Sequence, residues 1–74
     1  MTNIERSELK VKAANLRILA ASQTANAAAH RRQALHPAYA GQAEICENKA
    51  VMIDGFAARS LASAELLEAQ AVEA

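Results

Sequence analysis

Small apolar residues recur along this chain with a period of seven. Ala13, Ala20, Ala27 and Ala34 form one ladder, and Ala43, Ala50, Ala57, Ala64 and Ala71 form another. A heptad repeat keeps one seam of a helix turned toward one partner. The breakers come together only between the ladders, in His36-Pro37-Ala38-Tyr39-Ala40-Gly41. The pattern predicts an all-α fold with helix 1 over about residues 3–34, a turn over about 35–41, and a second helix to about 72. Thr2 followed three residues later by Glu5 reads as a capping box at the start of helix 1. His36 precedes a proline and is pushed out of helical geometry. Proline suits a first helical position, so helix 2 is expected from Pro37. Gly41 then falls in its first turn or ends a longer loop. Asp54-Gly55 is a frequent turn signal, but the ladder keeps its phase from Ala50 to Ala57, so helix 2 is read as continuous with Gly55 outward.

If the two helices fold back as an antiparallel hairpin, paired residues have numbers with a constant sum. Ala13 with Ala64, Ala20 with Ala57, Ala27 with Ala50 and Ala34 with Ala43 all total 77, which centres the turn between Ala38 and Tyr39. The next layer then pairs Leu9 with Leu67, Leu16 with Ser60, Gln23 with Ile53 and His30 with Cys46. Tyr39 takes the equivalent core position at the turn. Alanine along the seam should bring the helices closer than the usual ~8–10 Å.

Beyond the ladders, helix 1 carries a second series, Ile4, Val11, Ile18 and Ala25, flanked by Ala14, Ala21, Ala28 and Leu19. Helix 2 has Ile45, Met52, Phe56 and Leu66 away from its ladder. A helix apolar on two sides is buried on two sides. One explanation is a homodimeric four-helix bundle, with helix 1 making the dimer and Met52 and Phe56 near its edge. The other is that part of this surface docks a different protein.

Composition supports the need for company. Of 74 residues, 39 are hydrophobic, but 20 of these are alanine, so the set of large apolar side chains is thin. Below roughly 70–80 residues one core seldom suffices without disulfides, metal or oligomerisation. A single cysteine, Cys46, excludes an intrachain disulfide, and no Cys/His cluster has structural-zinc spacing. The whole is read as one helical-hairpin domain, residues 1–74, with no cofactor. No apolar run approaches the ~20 residues of a membrane span, and the first residues lack the apolar core of a signal peptide. With a lone thiol at a core position, the expected location is a cytoplasm.

The formal net charge is zero, which argues against a dedicated nucleic-acid or membrane-surface protein. The charges are nonetheless segregated. Helix 1 holds Arg6, Lys10, Lys12, Arg17, Arg31 and Arg32 against Glu5 and Glu8; helix 2 holds Lys49 and Arg59 against six carboxylates. At 100° per residue, Arg6, Lys10, Arg17 and Arg31 fall within a strip about 60° wide. The strip either neutralises the acidic helix, setting orientation more than stability, or offers an anion-binding surface, most concentrated at Arg31-Arg32 beside His30. His30, His36 and Cys46 come near one another around the turn, but no fourth ligand or orienting group makes a metal site or a Cys–His nucleophile of them. With no glycine-rich phosphate loop either, the chain is not read as an enzyme.

The segment Gln42-Ala43-Glu44-Ile45-Cys46-Glu47, the opening Met1-Thr2 and the long first helix resemble the Rop family of plasmid RNA-one modulators. That resemblance implies a helical hairpin that dimerises into a four-helix bundle and binds paired RNA loops through helix 1. Helix 1 here lacks the aromatic residue that the Rop surface uses. In size and alanine-rich character the chain is also similar to small temperate-phage proteins that silence a host protein, such as anti-activators of quorum-sensing transcription factors. The leading expectation is therefore a homodimeric regulator that binds and inhibits a host protein such as a transcription factor. Its candidate contacts are Ile18, Leu19, Met52 and Phe56, with Tyr39 at the turn and a charged rim of Arg17, Arg31 and Arg32; aromatic and arginine enrichment at interfaces motivates the choice. A Rop-like RNA-binding regulator is the second reading.

Overall fold

The computed structural model describes residues 1–73; Ala74, the last residue of the expected domain, and the side chain of Glu73 lie outside the described residues. The fold is all-α. Helix α1 spans Asn3–Leu35, a 3-10 segment spans Pro37–Gln42, and helix α2 spans Ala43–Glu73. Each start has a local cause. The Thr2 hydroxyl accepts a hydrogen bond from the Glu5 backbone N–H at 3.1 Å, satisfying one of the open donors of the first turn. From there to Leu35 no residue breaks the ladder of backbone bonds.

Helix α1 stops where the proline requires. His36 is extended (φ −79°, ψ 132°), the geometry imposed on a residue before proline. Its ring Nδ1 accepts from the Ala38 N–H at 3.1 Å, and its carbonyl accepts from the Tyr39 N–H at 2.9 Å. The expectation of an α-helix from Pro37 is corrected here. Pro37–Gln42 is a 3-10 segment with a non-helical residue, Tyr39 (φ −112°, ψ 17°), and regular α geometry begins only at Ala43. Tyr39 is also not a core residue: it is exposed and stacks edge-on to His36, with ring centroids 6.0 Å apart. Across Asp54-Gly55, α2 runs unbroken, and a Cβ built on Gly55 would meet nothing within 4 Å.

The two helices lie side by side in a rod of 55 × 13 × 10 Å. The buried core is Ala13, Ala20, Ala27, Ala50, Ala57, Ala64, Ala71, Cys46 and Ser60. Seven of these nine are rungs of the two ladders, so the seam is where the heptad pattern places it. Ala34 and Ala43, the rungs nearest the turn, are half-buried. Among the described residues no large side chain is fully enclosed.

The register differs from the expected one. The Ser60 hydroxyl donates to the Gln23 side-chain oxygen at 3.0 Å, and Ser60 shares one groove with both Leu16 and Gln23. Gln23 therefore reaches past its expected partner, Ile53. Arg31 likewise reaches both Asp54 and Glu47, which stand seven residues apart on α2. A residue of one helix thus sits between two of the other, so the rungs interleave rather than meet face to face. The cause is the connection. A 3-10 segment rises about 2.0 Å per residue against 1.5 Å in an α-helix. The six residues Pro37–Gln42 therefore carry the chain further before α2 begins.

Candidate protein-interaction surface

The seam leaves two broad faces and two backs, and the contacts identify each. One broad face carries the ion pairs. Arg17 donates to Glu68 twice, from Nε at 2.9 Å and from a terminal nitrogen at 2.6 Å. Arg31 donates to Asp54 at 2.5 Å and lies 3.9 Å from Glu47. The bidentate bond from Arg17 holds the Glu68 carboxyl below its ordinary range, and the bond to Glu68 raises the Arg17 guanidinium above its own. The bond to Asp54 raises Arg31 in the same way. Between the two arginine clusters lies a shallow groove of Ala20, Ala21, Thr24, Ala25, Ala28 and Leu61, bounded by Arg17. Thr24 and Leu61 interrupt the charge rows at that point. The basic strip read from the sequence is thus engaged by α2 at Arg17 and Arg31, the neutralising alternative of the two.

The opposite broad face mixes large apolar side chains with polar ones and carries no ion pair between the helices. Leu9, Leu16, Ile53 and Leu67 are half-buried beside the seam, their outer surfaces open. Leu16, Gln23, Phe56, Arg59, Ser60 and Ser63 line a groove along it. The Arg59 guanidinium sits 4.9 Å from the Phe56 ring centroid, over the ring, a cation–π contact between residues one turn apart. Leu19 lies on the helical stripe of Leu16 and Gln23, and Ile45, Met52 and Leu66 flank the same side of α2 by their spacing from Phe56 and Arg59. All four are exposed, Met52 by 55%. We call this the leucine face.

The back of α1, away from α2, carries Ile4, Val11 and Ile18, the most open large side chains of the helix body at 72%, 59% and 69%. Ile4 and Val11 line a groove with Asn3, Ser7, Glu8 and Lys12, all from α1.

The eight candidate contacts are therefore split. Leu19, Met52 and Phe56 share the leucine face; Ile18 and Arg32 belong to the back of α1; Arg17 and Arg31 are on the ion-pair face; Tyr39 is at the turn. Residue type is what groups them in the sequence, and residue type does not register heptad phase. Gln23, Ser60 and Arg59, which shape the leucine face, were not among the candidates. Arg59 could have been found from its three-residue spacing to Phe56. Gln23 and Ser60 could have been found as polar members of the layer beside the ladder. Around the turn, His30 is half-buried, Cys46 is a buried free thiol, and His36 is committed to the backbone. Among the described residues no group of three His, Cys, Asp or Glu is placed to hold a metal ion, and no helix is long and apolar enough to cross a membrane. No protein-family model, curated protein or solved structure matches this chain.

Proposed function

We propose that this chain is a small regulatory protein without chemistry of its own, which pairs with a second copy and binds another protein in order to inhibit it. One observation carries the reading: the enclosed core is alanine, while large apolar side chains stand open on two separate surfaces. Contiguous apolar surface on so small a chain marks association. One such surface suffices for self-association, which leaves the other for a target. The resemblance to phage anti-activators makes the target a host protein in the cytoplasm, such as a transcription factor. The alternative, a Rop-like RNA-binding regulator, loses support from the ion pairs, which occupy Arg17 and Arg31 of the basic strip.

The test is affinity capture from the native host by the full chain, with Ile18→Glu and Phe56→Ala run beside it. The reading expects one host protein retained by the wild type and lost by at least one helix-competent variant. A wild type that retains no protein, or equal retention by all three chains, contradicts it. A gel shift with structured RNA at low salt should show no complex. A shift that weakens steeply with added salt would return the RNA reading to first place.

A further inference from the structure

We propose that the leucine face, and not the back of α1, is where a second copy of this chain sits. The inference rests on the homodimer half of the reading above and names its surface. Three observations on different scales carry it.

The first is area. A compact chain of 7.8 kDa is expected to expose roughly 4,400 Å², whereas this hairpin exposes 5156 Å². The surplus of about 800 Å² equals the surface that one partner contributes to a standard interface.

The second is charge. Interface cores are depleted of charged side chains and enriched in aromatics, methionine and arginine. The heptad phases of the ion-pair face place Lys10, Arg17 and Arg31 on α1 and Glu44, Glu47, Asp54, Glu65 and Glu68 on α2. Covering them would strip water from the pairs Arg17–Glu68 and Arg31–Asp54, already satisfied at 2.5–2.9 Å, and from the charges beside them. The corresponding phases of the leucine face hold Leu16, Leu19, Ile53, Met52, Phe56 and Leu67. Its charges are Glu5, Glu8 and Lys12 on α1 and Lys49 and Arg59 on α2, the last already lying on an aromatic ring.

The third is the state of the side chains beside the seam. Leu9, Leu16, Ile53 and Leu67 are each largely covered within the hairpin, yet each keeps part of its surface open on the same side. A second hairpin laid on that side completes their burial and makes a four-helix core in which the alanine layers alternate with Leu9, Leu16, Ile53 and Leu67 and with the hydrogen-bonded Gln23–Ser60 pair. Ile4, Val11 and Ile18 remain outside such a core and free for the target.

Sedimentation or light scattering of the purified full chain tests this, without any target present. The wild type should have the mass of two chains at tens of micromolar. Leu19→Glu and Met52→Glu, at positions open in the single hairpin, should each raise the dimer dissociation constant by 100-fold or more with helicity retained by circular dichroism. Ile18→Glu should leave it within about threefold. Because a variant could fail to fold, the wild type carries a second readout. Peroxide oxidation of Met52, followed by mass spectrometry, should slow several-fold between nanomolar and 100 μM chain. A wild type of one-chain mass with no such protection overturns the homodimer and this surface together. A two-chain wild type that dissociates with Ile18→Glu, yet tolerates Leu19→Glu and Met52→Glu, overturns the surface alone.

Discussion

At Gly55 local propensity and tertiary pattern disagree, and the pattern prevails. The ladder carries α2 through Asp54-Gly55 without a break, and the glycine has no positive φ to justify it. Gly55→Ala should therefore stabilise the fold by about 0.5–1 kcal/mol, since it removes unfolded-state freedom and fills open space. Urea unfolding would show this as a higher midpoint at unchanged slope. A lower midpoint would mean that Gly55 is needed for a bend. Legibility at this scale follows from chemistry that acts locally. The Thr2 cap and the exit at His36 were readable because a hydroxyl three residues before an open N–H, or a residue before proline, has few options. The ring nitrogen of His36 holding the Ala38 N–H was not readable, because it depends on the turn already being formed.

At the scale of the elements, the ladder specified which stripe of each helix is buried but not the height at which the stripes meet. A seven-residue repeat of one residue type looks the same after a slide of one heptad, and half a heptad merely converts facing rungs into interleaved ones. What fixes the height is the length of the 3-10 segment together with the pairs Gln23–Ser60, Arg17–Glu68 and Arg31–Asp54. The ion pairs make a pH prediction of definite sign. The Glu68 carboxyl is depressed in the folded chain by its hydrogen bonds from Arg17. Its contribution is then fully present above the ordinary carboxylate range and is lost as the pH falls through the lower, folded value. Arg17 stays charged throughout. Thermal midpoints of the wild type should fall on acidification below that range, and Glu68→Gln should fall less steeply over the same interval. Parallel curves for the two proteins would show that the pair is not formed in solution. Because both side chains are exposed, added salt should narrow the difference.

For the whole molecule, the division of labour among surfaces follows from the size of the side chains at each heptad position. Alanine at the seam lets α1 and α2 pack closely but encloses little area, so the large apolar groups are left outside it. Leucine beside the seam then faces whatever covers the hairpin, and isoleucine and valine on the back of α1 face away from it. The hairpin architecture was legible in the sequence because alanine spacing and breaker position agree on it. The distribution of candidate contacts over three faces was not, because residues chosen for aromaticity or positive charge need not share a helical phase. Arg17 and Met52 are the clearest instance: both look like interface residues, yet one closes an ion pair and the other stands open on the opposite side.

All of this depends on the alanine seam being close-packed. The most direct measurement compares the unfolding free energies of Ala13→Leu and Ala14→Leu, neighbours that differ in face but not in helix propensity. Ala13 is 1% exposed on the seam, so Ala13→Leu should destabilise by about 1–3 kcal/mol through overpacking. Ala14 is exposed, so Ala14→Leu should change stability by less than about 0.5 kcal/mol. Equal effects at the two positions, or a more stable Ala13→Leu, would contradict close packing at the seam.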